Sequence, residues 1–479
     1  MLSGATIQKG SSLRSALQFM NDGSQRVCFI LEGKRLVGVL TDGDIRRALL
    51  KGVTIECAVE DAMTTDYFSM PYFSSIQEIQ KKLNDYEYIP IVDKFGDLID
   101  ISTRSKINDV PLIEPSLNGN EASYVSDCIR TGWVSSQGKY IREFEENFSK
   151  YTGSKYSLAV SNGTVALHLA LLACGIKSDD EVIAPNLTFA APINAILYAG
   201  ATPVLVDVDL ISKNIGIEAI ESAITKKTKA IIVVHLYGYP AKIQEIVELA
   251  RKHNLYVIED CAEALGTLYR GKHVGIFGDV GCFSFYGNKT ITTGEGGMLI
   301  TNNEVLINKA SLLRDHGMDK KRRYWHLEVG YNYRMTNLQA ALGVAQMERV
   351  RHFVNRKREI AKKYQEFLDG RDDVIHPLDS LESVNSYWLY TIMLKDFSRG
   401  KRDQLLEELS MHGIESRPVF YPADMMPIYK KYANQNLGYL NSRKISEQGL
   451  SLPTGVSMGD ESIKRVCEAL IMALENIEK

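Results

Sequence analysis

The chain has 479 residues, a formal net charge of −3 and 45% hydrophobic residues, which together predict two or three globular domains. The near-neutral charge gives no electrostatic basis for binding nucleic acid, and no run of about 18 apolar residues is present to cross a membrane. The seven cysteines are scattered without a C-x-x-C pair, which argues against a disulfide framework or a bound metal. We therefore expect a cytoplasmic protein with reduced cysteines.

The first part of the chain, residues 1–108, contains two diverged copies of one pattern. In each copy a helical segment is followed by an apolar strand, a turn and a second apolar strand. The segments of the first copy are 13–20, 27–31 and 36–40, and those of the second are 76–83, 88–92 and 98–101. The prolines at 111 and 115 then predict a linker.

The turn after the second strand of the first copy, residues 38–46, has the sequence GVLTDGDIR. It resembles the nucleotide-contacting turn of CBS regulatory modules, in which a threonine and the aspartate three residues later hold a ribose or phosphate. The resemblance implies a tandem CBS pair with a regulatory adenine or guanine nucleotide at Thr41 and Asp44. Asp100 and Thr103 do not reproduce this order in the second copy. The alternative is a pair that serves only oligomer contacts.

Residues 109–345 alternate helical and strand patterns, which predicts a mainly parallel α/β sheet. Because open α/β sheets bind ligands at the carboxyl ends of their strands, polar residues at these ends are site candidates. Residues 346–479 are predicted to form a smaller α+β domain that closes with an amphipathic helix over 460–477. The predicted strands include 182–184, 203–207, 230–234 and 256–258, and the polar ends are Asp207, His235 and Asp260.

The most informative segment is residues 284–297, SFYGNKTITTGEGG, which places Lys289 between a hydroxyl residue and several glycines. A lysine that forms an imine needs a desolvated amine, and glycine lets the backbone approach a planar cofactor. An apolar strand upstream ends in Asp260, a suitable partner for a pyridinium nitrogen. For this segment taken alone, the simpler alternative is a surface turn with a solvated lysine.

Three other segments have residues suited to a phosphate-bearing cofactor. Residues 161–164 (SNGT) precede an apolar helix, so their amides and the positive end of the helix dipole favour a phosphate. Phe189 follows a strand and offers a ring for stacking, and residues 330–335 (GYNYRM) precede a long helix. Taken singly, each segment has a simpler interpretation: an ordinary helix N-cap for 161–164, a core aromatic residue for Phe189, and a helix-capping loop for 330–335.

Taken together, the motifs resemble those of the DegT/StrS-type sugar aminotransferases, which have the α/β fold of type I pyridoxal 5′-phosphate (PLP) enzymes. The resemblance covers residues 111–479. It implies that Lys289 forms a Schiff base with PLP and that Asp260 pairs with the pyridinium nitrogen. It also implies that Gly163, Thr164 and Ser284 bind the cofactor phosphate and that Phe189 stacks on the cofactor ring. Asn332 would reach the phosphate bound in the neighbouring subunit.

Two positions refine this resemblance. Glu263 stands where many family members have glutamine, near the phenolic oxygen of the cofactor. Lys289 separates the chain from the sugar dehydratases of the family, which have histidine there, and therefore implies transamination. Further residues of family-like segments are predicted to contact the substrates, namely Arg417, Tyr324, His316 and Trp133.

Segments 130–138, 234–238, 322–325 and 414–422 are most similar to family members that act on GDP-4-keto-6-deoxymannose. The implied reaction transfers the amino group of L-glutamate to C4 of that sugar, which forms GDP-perosamine for surface polysaccharides. The implied assembly is a homodimer or a higher homo-oligomer. Two alternatives stay open, a UDP- or dTDP-linked keto sugar as substrate, or a nucleotide-sensing regulator whose PLP fold no longer catalyses.

Overall fold

The computed structural model describes residues 5–22, 26–74, 76–83, 85–103, 110–377, 379–434 and 438–478. The chain divides into two compact units, residues 1–109 and 110–479. Among the described residues, no helix has both the length and the apolar character needed to cross a membrane.

The first unit contains two three-stranded sheets with the same topology. In each sheet the first strand pairs in parallel with the second, which pairs antiparallel with the third. This equivalence is the structural form of the duplication predicted from the sequence. The elements are β1 (Thr6–Gln8), α1 (Leu13–Asp22), β2 (Val27–Glu32), β3 (Arg35–Thr41) and α2 (Asp42–Leu50), then β4 (Met70–Pro71), α3 (Ile76–Lys82), β5 (Tyr88–Val92) and β6 (Leu98–Thr103).

In the second unit, seven of the described strands form a central sheet in the order β7-β15-β14-β11-β10-β8-β9. Only β15 runs antiparallel to both of its neighbours, so the predicted mainly parallel sheet is confirmed. The strands are β7 (Tyr156–Val160), β8 (Glu181–Pro185), β9 (Thr202–Val206), β10 (Thr228–Val234), β11 (Tyr256–Asp260), β12 (Leu268–Tyr269), β13 (Lys272–His273), β14 (Val280–Ser284), β15 (Gly297–Thr301), β16 (Val374–Ile375), β17 (Ser383–Val384), β18 (Tyr390–Leu394), β19 (Arg417–Pro418) and β20 (Gly449–Leu452).

Both faces of this sheet are covered, as β10 illustrates. Ile231 and Val233 point into one apolar cluster, whereas Ala230 and Ile232 point into another. The helices of the unit are α4 (Glu121–Thr131), α5 (Lys139–Thr152), α6 (Gly163–Ala173), α7 (Ala190–Tyr198), α8 (Ile217–Ala223), α9 (Ile243–Lys252), α10 (Glu304–Arg314), α11 (Asn337–Glu348), α12 (Val350–Phe367), α13 (Arg399–Met411), α14 (Leu440–Gln448) and α15 (Asp460–Glu478).

A third apolar core lies in the carboxyl-terminal part of the second unit, where α12, α13 and α15 pack with a four-stranded sheet of order β16-β18-β20-β19. The predicted domain boundary between residues 345 and 346 falls inside α11. The carboxyl ends of β11 and β14 and the beginning of α6 place Asp260, Ser284 and Gly163 at one edge of the central sheet.

Candidate active site

Lys289 lies in the loop between β14 and β15, with its side chain 14% exposed. Its Nζ lies 3.6 Å from Oε1 of Glu263 and 3.7 Å from the centre of the Trp388 ring. Burial lowers the pKa of Lys289, and the charges of Glu263 and Asp260 oppose this shift. The amine therefore gives up its proton more readily than a solvated lysine, as a nucleophile or a base must.

Asp260 is the last residue of β11, and it is buried. Its Oδ1 accepts a hydrogen bond from the amide of Ala262 at 3.0 Å. Burial raises the pKa of Asp260, while the Ala262 amide, Lys289 and His235 oppose the shift. A cationic ring nitrogen at this carboxylate would favour its ionised form, so Asp260 fits the role of partner to a pyridinium.

Glu263 is held between the protein backbone and the lysine. Its Oε2 accepts from the amide of Tyr237 at 2.8 Å, and its Oε1 is the oxygen that faces Lys289. Tyr237 has a φ of 55°, which is unusual for a bulky residue and orients its amide in the turn after β10. Burial raises the pKa of Glu263, and the Lys289 amine opposes the shift.

A row of aromatic rings leads from Lys289 to Phe189. Trp388 stacks on Tyr237 with ring centres 6.2 Å apart, and Tyr237 stacks on Phe420 at 5.3 Å. Phe420 in turn lies 5.8 Å from Phe189. Trp388 and Tyr237 are buried, whereas Phe189 is 59% exposed, so the row has one covered end and one open end. The open ring is free to stack on a planar ligand.

The beginning of α6 packs closely on the ends of β14 and β15. Asn162 caps the helix, with its Oδ1 accepting from the amide of Val165 at 3.0 Å. A Cβ atom on Gly163 would lie 2.8 Å from the Cβ of Ser284, and one on Gly297 would lie 2.5 Å from the carbonyl carbon of Asn162. Only glycine permits this approach, which places free helix amides beside the Ser284 hydroxyl as a phosphate would require.

Two buried polar atoms beside these groups have no hydrogen-bond partner among the described residues, Oγ1 of Thr188 and Oδ1 of Asn288. Thr188 immediately precedes Phe189, and Asn288 immediately precedes Lys289. A buried polar atom left unpaired costs about 1–3 kcal/mol, so a ligand that bonds to it is stabilising. Together with the buried amine and carboxylate, these atoms fit a planar cofactor with a ring nitrogen and a phosphate, as in PLP.

Next to the site, His235, Glu259 and Cys261 place their potential ligand atoms within 4.8 Å of one another. The Glu259 carboxylate accepts from Nε2 of His235 at 3.0 Å and from three amides of residues 275–278 at 2.7–2.9 Å. Nδ1 of His235 accepts from the amide of Ala241 at 3.1 Å. The carboxylate and the imidazole are therefore already engaged, and the cluster acts as a support for β10 and β11.

The geometry agrees with the comparisons with known proteins. The model of the DegT/DnrJ/EryC1/StrS aminotransferase family matches residues 115–471. The chain belongs to this family. The CBS domain model matches residues 4–51 and 59–111. Both family resemblances found in the sequence are thereby confirmed.

Curated relatives of this aminotransferase include the GDP-perosamine synthase of Vibrio cholerae, which is 46% identical over 75% of the chain and 98% of that enzyme. The GDP-perosamine synthase of Caulobacter vibrioides is 48% identical over 77% of the chain and 100% of that enzyme. Among solved structures, a Streptococcus pneumoniae protein in its PLP form superposes with a TM-score of 0.73 at 27% identity, covering 77% of this chain and 98% of that one.

The structure brings part of the predicted cofactor set together. Lys289, Glu263 and Asp260 form one group, and Ser284 packs on Gly163, which Thr164 follows in the first turn of α6. The exposed Asn332 forms a β-bridge with Asp315, and the next residue along, Tyr333, accepts from the amide of Ser161 at 2.9 Å. Its loop therefore adjoins the 161–164 turn of the same chain.

The predicted substrate residues lie on exposed segments. Arg417 pairs with Glu415 at 3.0 Å, and the amide of His316 donates to Tyr331 at 2.9 Å. Tyr324 and Trp133 are 75% and 56% exposed. Within the described parts of the chain, no hydrogen bond, ion pair or ring contact joins these four to Lys289, so their roles stay predictions.

Trp388 was not found by sequence reasoning. It lies 99 positions after Lys289 in the chain, in a segment without glycines or a strand-end carboxylate, and a lone tryptophan is more typical of a core. The signal that identifies it is three-dimensional, since the indole N–H donates to the carbonyl of Asn288 at 2.7 Å.

In the first unit, Thr41 and Asp44 form a capping box at the start of α2. The Thr41 hydroxyl donates to Oδ2 of Asp44 at 2.6 Å, and the Asp44 amide donates back to that hydroxyl at 3.1 Å. Arg47 also pairs with Asp44. These contacts give both residues a local structural role, and the predicted nucleotide at this turn stays a prediction.

Proposed function

We propose that this protein is a PLP-dependent aminotransferase that converts GDP-4-keto-6-deoxymannose to GDP-perosamine with L-glutamate as the amino donor. The observation that carries the proposal is the buried Lys289 amine, held beside Glu263 and above the Trp388 ring, with Asp260 at the end of the adjoining strand. Relatives that are GDP-perosamine synthases at 46% and 48% identity support the choice of sugar. The product would serve surface polysaccharide assembly.

PLP, when bound, supplies a ring that takes up the amino group of the donor and withdraws electrons from the reacting carbon. Asp260 would hold the proton on the ring nitrogen, which makes the ring a better electron acceptor. The helix amides at Gly163 and Thr164 and the hydroxyl of Ser284 would hold the phosphate, and Phe189 would stack on the ring.

Lys289 would move the protons of the reaction. Its Nζ would accept the proton from the α-carbon of glutamate and later return a proton to C4 of the sugar. Burial, which lowers the pKa of Lys289, keeps more of the amine in the neutral form that can accept. Trp388, with Tyr237 stacked on it, would cover one side of the amine with buried aromatic surface and so exclude water from it.

We propose that a second copy of the chain completes the site. Phe189, Trp133 and Tyr324 are exposed aromatic residues, and Asn332 is an exposed polar residue beside the phosphate turn. Exposed aromatic side chains are typical of interfaces, where they are buried on assembly. In such a dimer, Asn332 would reach the phosphate of the partner site, and Tyr324, Trp133, His316 and Arg417 would contact the sugar nucleotide or the donor carboxylate.

The proposal is tested by incubating the purified protein with PLP, L-glutamate and a panel of GDP-, UDP- and dTDP-linked 4-keto-6-deoxy sugars, while 2-oxoglutarate release is followed. We expect turnover with the GDP sugar and a loss of at least about 10²–10⁴-fold in Lys289→Ala, the contribution typical of a positioned proton-transfer group. Arg417→Ala should raise the KM of one substrate, and unchanged KM values for both would remove Arg417 from the site.

The same experiment separates the alternatives. Turnover confined to a UDP or dTDP sugar would replace the GDP sugar as the substrate while leaving the reaction class intact. No turnover with any sugar, together with no spectral change when PLP is added, would leave the nucleotide-sensing regulator as the remaining function.

A further inference from the structure

A second cavity in the 110–479 unit borders the turn after β10, which also contains Tyr237. It has a volume of about 300 Å³ and is lined by the turn 210–213, by Leu236, Tyr237 and Tyr239, and by residues of β16, β18 and α14. Its walls are mainly apolar, and its size is at the lower end of the roughly 300–1,000 Å³ typical of small-molecule sites. None of the residues predicted from the sequence to bind cofactor or substrate lines it.

The charged groups of this cavity are predominantly cationic. Lys213, Lys395 and Lys444 line it together with a single carboxylate, that of Asp396. Within the described residues, no carboxylate oxygen lies within 4 Å of the amine of any of these lysines. Lys395 and Lys444 are exposed at the rim, whereas Lys213 is only 8% exposed. The interior therefore presents one buried amine within a largely apolar surface.

The backbone at Lys213 adds a second cost to the burial of its amine. Lys213 has a φ of 60° in a turn where the amides of Ile211 and Ser212 donate to Oδ1 of Asp209. Glycine and asparagine adopt this left-handed conformation more readily than lysine does. Burial lowers the pKa of Lys213 to about 8, with Asp209 opposing the shift. A buried cation without a paired anion is unfavourable, and a bound anion removes that penalty.

We propose that this cavity binds a small organic carboxylate, with its head group on the Lys213 amine and its apolar body against the cavity walls. A phosphate or a dicarboxylate is disfavoured because the one buried amine carries a single positive charge, and Lys395 and Lys444 lie on the exposed rim. The mainly apolar lining likewise favours a monoanion with a hydrocarbon body. The site is separate from the glutamate and sugar contacts of the proposed function and does not depend on them.

The probe for the test is benzoate, with neutral benzamide as its near-isostere, titrated into the full-length protein loaded with PLP. We expect saturable benzoate binding by calorimetry and at least tenfold weaker binding of benzamide. Lys213→Met should weaken benzoate at least tenfold. Lys213→Asn should also weaken benzoate binding at least tenfold. Because asparagine adopts the left-handed backbone conformation readily, this variant controls for a folding defect in Lys213→Met.

A measurement on the unmodified protein gives an independent check. At pH 8 the Lys213 amine is partly neutral and open to acetylation, so bound benzoate should slow its labelling by acetic anhydride in a mass-spectrometric digest. The exposed amine of Lys362 should label at an unchanged rate. Benzoate that is displaced by 2-oxoglutarate and is indifferent to Lys213 would be bound at the Lys289 site. That result, absence of benzoate binding, or absence of protection at Lys213 would each overturn the proposal.

Discussion

The amine of Lys289 lies 3.7 Å from the centre of the Trp388 ring, and the indole N–H of Trp388 donates to the carbonyl of Asn288 at 2.7 Å. Trp388 thus contacts the tip of the Lys289 side chain and also holds the backbone of the residue that precedes Lys289. An ammonium over an aromatic face is stabilised by about 0.5–2 kcal/mol. This arrangement fixes where the amine lies before any ligand arrives.

Trp388→Phe should therefore impair catalysis beyond its effect on stability. The variant keeps an aromatic face but leaves the partly buried Asn288 carbonyl without its indole donor, which costs up to about 1–3 kcal/mol. We expect a lower melting temperature and a kcat/KM reduced at least about tenfold, because a displaced reacting group loses its alignment. The matched control is Tyr364→Phe, which removes a buried donor to the carbonyl of Pro453 at 2.9 Å. The control should lose stability with little loss of kcat, and equal activity losses in the two variants would contradict a positioning role for Trp388.

The carboxylate of Glu263 controls the charge state of Lys289. Its negative charge opposes the lowering of the Lys289 pKa by burial, so Glu263→Gln should lower that pKa further. The amine of the variant would then become neutral, and reactive, at a lower pH. The measurement is the pH midpoint of Lys289 acetylation in the cofactor-free protein, with Lys362 as an internal reference. A midpoint that does not move would mean that Glu263, whose own pKa is raised by burial, is already protonated beside the lysine.

The close packing at Gly297 should be essential for phosphate binding. The Cβ of Gly297→Ala would lie 2.5 Å from backbone atoms of Asn162, so the start of α6 must shift. Overpacking of this kind costs about 1–3 kcal/mol, and a cost of that size at the phosphate contacts would lower PLP affinity by about 5- to 150-fold in equilibrium ultrafiltration. Gly287→Ala is the control in the same loop, since a Cβ there would meet no atom within 4 Å. Similar PLP affinities for the two variants would exclude the helix start as the phosphate site.

Local sequence signals predicted most of the fold and singled out Lys289 and Asp260, which the structure places in one group with Glu263. The apolar runs that become β8, β10 and β11 are continuous because both faces of the sheet are covered, and such runs are visible in the sequence. Lys289 and Asp260 were recognisable because each adjoins a local signal, a glycine-rich segment and a strand end. Trp388 and Lys213 had no such signal, since the role of each depends on segments distant in the chain. Their environments exist only after the second unit has folded.

The capping box at Thr41 predicts a structural effect that can be measured apart from nucleotide binding. Asp44→Ala removes the carboxylate that accepts from the amide and the hydroxyl of Thr41. Loss of such a cap costs about 0.5–2 kcal/mol, so the melting temperature of the 1–109 unit should fall. The control Asp42→Ala loses an exposed ion pair with Arg46 and should change that melting temperature little. An equal shift in both variants would contradict the assignment of the cap.

The nucleotide predicted at Thr41 and Asp44 is tested on the full chain by calorimetry with AMP, ATP, GDP and GTP. Binding of any of them would have to compete with the 2.6 Å hydrogen bond between the two side chains. A binding heat that disappears in Asp44→Ala would support the regulatory role. No heat with any of the four nucleotides would leave the CBS pair with the oligomer-contact role.

The buried amine of Lys357 should make stability depend on pH. It is 1% exposed and donates to the carbonyls of Trp388 and Thr454 at 3.2 and 2.9 Å, and burial lowers its pKa to about 7. An unfolded lysine titrates near pH 10.4, so between about pH 7 and 10 the unfolded state binds more protons and this group makes stability rise with pH. Lys357→Met lacks that contribution. Between pH 7 and pH 9, the melting temperature of the unmodified protein should therefore rise relative to that of Lys357→Met. The control Lys362→Met, at an exposed lysine, should keep a constant difference from the unmodified protein at the two pH values. A constant difference between the unmodified protein and Lys357→Met would mean that the buried amine keeps its proton throughout this range.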